Sequence, residues 1–309
     1  MPAPSSFPAR SLPLGALWMI AAGLGFALMS VCVKATAGAF GSPELVFWRS
    51  AFGVLFVLAW LALRRAPADA PRGMTRLAGP HLSEQLRRAG IGFMALVAFF
   101  YSLAHLPMSV AITLNYTSPL FLALLMPWLL GERPERGQYL SVGAGFVGVV
   151  LMLEPWQADA RAQIVPGLIG LASGFMAALA YVQVRRLGRF AEPEWRTVFW
   201  FAAVGMAGGA VLASLPGLGG WHAPEPEHIL PLLGIGLSAT LAQLAMTRAY
   251  RHGPTAQVAA FAYSTVMFGA LLDGVIWKET LSIPAWIGIV LSVTAGLKAI
   301  RPNARETPA

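Results

Sequence analysis

Charge is what this chain has least of. Only 12% of its 309 residues are Asp, Glu, Lys or Arg, against about 25% in a soluble globular protein, so it lacks the polar surface needed to stay in water. Cysteine is nearly absent too. The single Cys32, set inside the first apolar run, excludes an intrachain disulfide, a cysteine zinc cluster and a dithiol redox pair. The five histidines, at 81, 105, 222, 228 and 252, are scattered, and the patterns HExxH, GxSxG and GxxxxGK[ST] are missing. These absences argue against metalloprotease, nucleophile-elbow hydrolase and P-loop ATPase chemistry. No metal, no cofactor and no enzymatic activity are expected. The net charge of +8 is distributed over short gaps between apolar runs rather than gathered on one folded face, so no nucleic-acid partner is expected.

Hydrophobic residues make up 57% of the chain, and the mean hydropathy is +0.63. Runs of about twenty apolar residues are long enough to cross a bilayer as helices. Ten such runs occur, near 14–37, 44–63, 89–105, 107–130, 137–154, 164–187, 196–215, 228–249, 255–277 and 283–300. The first exceeds the roughly 7–15 residues of a cleaved signal's apolar core, which favours a retained helix. With the N-terminus inside, ten spans put eighteen of the 22 Lys and Arg on the inner side, as the positive-inside rule requires. Lys34, Arg161 and Lys278 fall outside, and Arg49 falls within a span. Tryptophans 18, 48, 60, 128, 195, 277 and 286 lie near span ends, where an amphipathic ring prefers to sit. The expected location is a cell inner (plasma) membrane, multi-pass, with both termini cytoplasmic.

The chain repeats itself. "HLPMSVAITLNYTSPLFLALLMPWLLGE" (105–132) aligns with "HGPTAQVAAFAYSTVMFGALLDGVIWKE" (252–279) at a constant offset of 147, matching His105 with His252, Pro107 with Pro254, Tyr116 with Tyr263 and Glu132 with Glu279. "PE" recurs at 43–44 and 193–194, and "GF" at 25–26 and 174–175. Each half then holds five spans, and an odd number inserts the second half upside down. Inverted repeats of this kind place a binding site near the midplane where the halves meet. The expected fold is an all-α integral membrane protein with ten transmembrane helices as two inverted five-helix repeats. Its expected boundaries are a tail at 1–13, a first repeat at 14–154, a linker at 155–163, a second repeat at 164–300 and a tail at 301–309.

The ten spans, the twofold repeat, "SPELVFWRS" (42–50) opening the second span, and "GER" (131–133) closing the fourth before a Gly-rich fifth together resemble the drug/metabolite transporter superfamily, specifically the EamA family. The resemblance covers nearly the whole chain. It implies a secondary carrier or exporter of small metabolites, a group whose cargoes differ widely.

Polar residues inside the spans are the candidate pathway groups: Arg49, Tyr101, Asn115, Tyr116, Gln243, Tyr263 and Asp273. In "LNYTSPL" (114–120), Pro119 removes the partner of the Asn115 carbonyl, and hydrocarbon cannot replace it. Thr117 and Ser118 suit bonds to their own backbone, while Asn115 and Tyr116 suit either bonds to neighbouring helices or a cavity wall shared with Tyr263. Arg49 costs at least about 2.5–3.5 kcal/mol in hydrocarbon. It either snorkels outward towards Glu44 or faces the pathway, where it would attract a carboxylate or phosphate. Asp273 is either a proton site or a partner of Lys34 or Lys278. Gln243 and Tyr101 either line the cavity or bond between helices. No carboxylate lies at the midplane, so exchange and facilitated export fit as well as proton antiport. The remaining expected partners are a small-molecule metabolite and anionic lipid headgroups at the basic 64–88 loop; the four-spaced small residues of spans five and ten suit close helix packing, within one chain or in a homodimer.

Overall fold

In the computed structural model the described residues are 12–63, 77–118, 120–121, 124–125, 136–154, 156, 160–190, 193–218, 220–252 and 261–299. Residues 1–11 of the N-terminal tail, the C-terminal tail, most of the basic loop and four of the nine linker residues lie outside them, as do Pro119, Trp128, Glu132 and Pro254. The described chain is helical. The helices are α1 (Leu12–Thr36), α2 (Ser42–Leu63), α3 (Leu82–His105), α4 (Met108–Asn115), α5 (Arg136–Leu153), α6 (Ala160–Arg189), α7 (Glu194–Ala213), α8 (Pro226–His252), α9 (Ser264–Leu272, continued by a π turn at Asp273–Trp277) and α10 (Ile283–Ala299). The repeated Pro-Glu opens both α2 and α7, where proline gives up no helical hydrogen bond.

Six of these helices contain stretches of 19 to 24 residues long and apolar enough to cross a membrane, and Val142–Leu153, Ser264–Trp277 and Ile283–Ala295 are shorter apolar helices. Their outward faces carry large apolar side chains such as Leu55, Leu140, Leu230, Met267 and Ile283, all well over half exposed. Water would not tolerate such a surface; lipid would.

The helices pair α1 with α8, α3 with α6, α2 with α7 and α5 with α10; α3 also meets α7, α2 meets α8, α1 meets α9, and α4 packs on both α6 and α9. Between α5 and α10, Ser292 Oγ donates to the Gly145 carbonyl at 3.0 Å, and the backbones of Gly148 and Gly288 nearly touch. The small-residue faces of spans five and ten pack against each other within one copy of the chain, as close helix packing requires, because glycine on both sides lets α5 and α10 approach closely.

The expected break in "LNYTSPL" is present, and it begins before Pro119. α4 stops at Asn115. The Tyr116 N–H still reaches Ile112 O, but the Leu120 N–H, which a regular helix would offer to the Tyr116 carbonyl, turns to Thr117 O at 2.8 Å. The Thr117 hydroxyl donates to Leu114 O at 2.6 Å, the bond to its own backbone anticipated from its type. The Tyr116 carbonyl is served from the other half of the chain: Tyr263 Oη donates to it at 3.2 Å. Tyr263→Phe should therefore lower stability by about 1–3 kcal/mol, the range for removing one partner of a buried polar group. Thermal unfolding of the purified chain checks it.

Candidate functional site

A cavity of about 150 Å³ lies beside this break. Its wall is built from α1 (Phe26, Met29, Ser30), α2 (Arg49), α3 (Arg88, Gly92, Leu96, Phe99), α4 and its C-cap (Asn115, Tyr116), α6 (Ala177, Ala180), α7 (Phe201), α8 (Gln243, Met246) and α9 (Thr265). A larger surface hollow, about 550 Å³, lies in the loop from Ala213 to Trp221. It holds none of the candidate residues and no charged side chain.

Four of the expected residues meet in the inner cavity: Arg49, Asn115, Tyr116 and Gln243. Arg49 is 7% exposed, so it does not snorkel. Its guanidinium carbon lies 5.2 Å from the centre of the Phe201 ring, and that of Arg88 lies 4.3 Å from the same centre. Such contacts are worth about 0.5–2 kcal/mol each, more when desolvated. Glu44, the anticipated partner of Arg49, is taken elsewhere. Its carboxylate accepts the His222 backbone N–H at 3.1 Å and lies 2.9 Å from His222 Nδ1. Five residues along a helix turn the side chain by about 140°, so positions 44 and 49 of α2 face different neighbours.

The Asn115 Nδ2 donates to Ser173 Oγ at 3.0 Å, tying the broken end of α4 to α6. Tyr116 Oη lies 3.0 Å from Thr265 Oγ1, so α4 and α9 hold each other at their irregular points. The structure places Tyr263 behind this wall rather than in it, buried with its ring centre 5.9 Å from that of Tyr116. The two repeat-related tyrosines do not flank the cavity; one lines it and the other props the first.

Tyr101 and Asp273 also stand apart from the cavity. The Tyr101 ring stacks on His105 with centroids 4.3 Å apart, at the end of α3. Asp273, 2% exposed, lies 3.2 Å from Lys34 Nζ and accepts the Ser109 N–H at 2.7 Å. Lys34, and not Lys278, is thus its partner. The Lys34 ammonium also meets Glu279 at 2.9 Å and sits 4.7 Å over the Trp277 ring. Asp273 opens the π turn, and Lys278, which ends it, is left-handed at φ 53°. This end of the bundle is closed further by the Ser282 hydroxyl bonded to the buried Glu154 carboxylate.

Arg88 is the site residue that sequence reasoning missed. It counted as a topology signal in a basic loop, because the third span was expected to begin at 89. The helix begins instead at Leu82, and Arg88, Gly92, Leu96 and Phe99 at helical spacing share the cavity face. That spacing was the available signal. Phe26, Phe99, Phe201 and Met246 carried none, being apolar residues within apolar runs.

An arginine-bearing cavity walled by aromatic rings, inside a bundle sheathed in apolar side chains, suits the passage or binding of organic molecules in a membrane. The chain matches the EamA-like transporter family twice, over residues 13–154 and 166–297. It belongs to that family. Among its relatives are the pseudopaline exporter CntI of Pseudomonas aeruginosa, 30% identical over 292 residues covering 92% of this chain and 95% of the relative, and a riboflavin transporter of Rhizobium johnstonii, 30% identical over 303 residues covering 97% and 94%. A solved structure titled only as the crystal structure of a protein shares the fold, with a TM-score of 0.65 at 20% identity, covering 93% of this chain and 97% of its own. This EamA protein is a multi-pass membrane transporter and not an enzyme.

Proposed function

We propose that this EamA protein is a secondary transporter of a small organic metabolite, working by alternating access between two inverted five-helix halves in the cell inner membrane, with both termini cytoplasmic. The observation that carries the reading is the mutual hold of the two broken helices, Tyr116 Oη on Thr265 and Tyr263 Oη on the Tyr116 carbonyl. It joins positions 147 apart at the edge of the cavity, as expected where inverted repeats meet. The helix pairings support it. If α1 corresponds to α6, α2 to α7, α3 to α8, α4 to α9 and α5 to α10, then α1–α8 becomes α6–α3, α2–α8 becomes α7–α3, and α1–α9 becomes α6–α4, all of which occur.

In this reading the outer face is shut. Lys34, Ser109, Glu44 and Glu154 of the first half bond Asp273, Glu279, His222 and Ser282 of the second. The cavity wall draws on Arg88, Gly92, Gln243 and Met246, which lie toward the cytoplasmic ends of α3 and α8. The relatives named for pseudopaline and riboflavin favour a metabolite-sized cargo. A space of about 150 Å³ is smaller than the roughly 300 Å³ of a drug-sized site, so loading such a cargo requires the halves to part.

Counterflow in proteoliposomes tests the proposal: a labelled metabolite should accumulate chemically unchanged against an unlabelled internal pool. The inversion has its own test. Reporter tags at Gly38 and at the C-terminus should lie on opposite sides of the membrane, as should a tag at 156 and the C-terminus; a shared side for 156 and the C-terminus would overturn it.

A further inference from the structure

Among the described residues, Arg49 touches the Phe201 ring but has no carboxylate partner. It is 7% exposed, its Nε has no hydrogen-bond partner, and the repeat puts Phe199 in its place in α7, so the helix pair does not require an arginine there. The buried carboxylates Glu44 and Asp273 are committed, Glu44 to His222 and Asp273 to Lys34 and Ser109, and Glu84, one turn before Arg88 on α3, pairs with Arg87. No Asp or Glu stands among the residues that wall the cavity. Arg88 brings a second guanidinium to the same Phe201 ring. Like charges brought together in a place poor in water raise the cost of each. A buried arginine is ordinarily matched by an anion that its planar donor fork can grip.

We propose that the missing anion belongs to the cargo: the transported molecule carries a carboxylate or phosphate that docks between Arg49 and Arg88. Its remaining body is organic and largely apolar or aromatic, because the same wall presents Phe26, Met29, Phe99 and Met246. A bare inorganic anion would leave these side chains uncovered. Asn115 and Gln243 on the same wall supply amides for polar groups elsewhere on the molecule. This deepens the transporter reading and rests on it.

The test uses the full chain in proteoliposomes and four labelled pools: aromatic carboxylates without an amine, aromatic phosphate monoesters, aromatic amines without an acid, and uncharged aromatics. Counterflow is expected from one or both acid pools alone, and the contrast between those two arms identifies the headgroup. Arg49→Gln and Arg88→Gln should each reduce transport at low substrate concentration by about tenfold to a hundredfold, the effect of losing a charge-assisted contact. Arg49→Lys and Arg88→Lys should recover part of it, since they restore the charge but not the fork. Arg87→Gln, an exposed neighbour paired with Glu84, should leave selectivity unchanged.

Counterflow of amines or uncharged aromatics, or wild-type transport of acids by Arg49→Gln at equal protein level, would overturn the proposal. The pool preference of the wild-type chain keeps the test decisive if an arginine variant does not fold. Thermal unfolding with the same pools separates the two readings. Stabilisation by acids without counterflow leaves the anion site standing and removes transport, whereas neither counterflow nor stabilisation by acids removes both.

Discussion

In the proposed orientation, Asp273→Asn is expected to open the outer face of the protein. The Asp273 carboxylate is buried and faces both Lys34 Nζ at 3.2 Å and the Ser109 N–H at 2.7 Å. Asparagine keeps an oxygen for the Ser109 N–H, so the change removes the charge and little else. Breaking a buried pair by neutralising one partner typically costs about 3–5 kcal/mol. Glu279 still holds Lys34 at 2.9 Å, which reduces the loss to about 2–3 kcal/mol, or roughly 30- to 150-fold in the population of the outer-closed state. The readout is chemical. In a Cys32→Ala, Ser109→Cys background, a membrane-impermeant maleimide added from outside should react slowly, because position 109 is fully buried. The Ser109 hydroxyl has no hydrogen-bond partner, so the cysteine sacrifices none. Adding Asp273→Asn should raise the labelling rate by at least tenfold. Glu279→Gln should raise it much less, since Glu279 is 33% exposed and a partly solvated pair is worth about 0–1 kcal/mol. Equal labelling in all three backgrounds would mean that the Lys34 cluster does not hold the outer face shut.

That cluster shows how much could be read without coordinates. Lys34, Asp273 and Lys278 were rare charges near the ends of apolar runs, so a lysine partner for Asp273 followed from the cost of leaving a charge alone in lipid, while the choice of Lys34 over Lys278 needed the structure. The polar interruption at 114–118 was legible for the same reason, and so was the relation between Tyr116 and Tyr263. What the repeat could not supply was depth normal to each helix. Equal spacing puts two tyrosines at one level, but only the rotation of α4 and α9 decides that one faces the cavity and the other packs behind it. Glu44 and His222 lie 178 positions apart, and His222 stands in an irregular loop, where no periodicity predicts a direction. Arg88 was hidden by averaging: the polar turn 84–88 (EQLRR) lowers the hydropathy of a helix whose inward face continues through it.

In the proposed orientation, the distribution of polar contacts gives the outer and inner ends of the bundle different characters. At the outer end, ion pairs and hydrogen bonds join segments far apart in the chain, and all but the Lys34–Glu279 pair involve a buried carboxylate. Such contacts hold strongly while paired and cost much when broken, which suits a closure with two discrete states. At the opposite end the contacts among the described residues are softer: His81 stacks on Phe190 at 4.1 Å, and the Trp200 indole N–H donates to Leu77 O. A cargo bound between Arg49 and Arg88 would cancel part of the repulsion that the empty cavity carries. Only such a difference in affinity between states can shift their balance.

Gly288→Ala should be among the most damaging small substitutions in the chain. A Cβ at 288 would lie 2.5 Å from the Gly148 carbonyl oxygen and 2.8 Å from the Met152 nitrogen. Both are backbone atoms of a packed helix, so no side chain can swing aside, and α5 and α10 must separate. Overpacking costs about 1–3 kcal/mol where neighbours can adjust, and a backbone contact sits at or above the top of that range. Separation would also strain the Ser292 bond to Gly145, 3.0 Å long. Gly143→Ala is the matched control. Position 143 lies on the same α5, exposed, with nothing within 4 Å of a new Cβ, and alanine in a helix is favoured over glycine by about 1 kcal/mol. Gly288→Ala should lower the thermal midpoint of the purified chain by several degrees, while Gly143→Ala leaves it unchanged or raises it. The shift at 288 should be independent of protein concentration, because the seam is internal to one chain. A shift that grows on dilution would assign the seam to a contact between copies, and no shift would mean that α5 and α10 do not approach so closely.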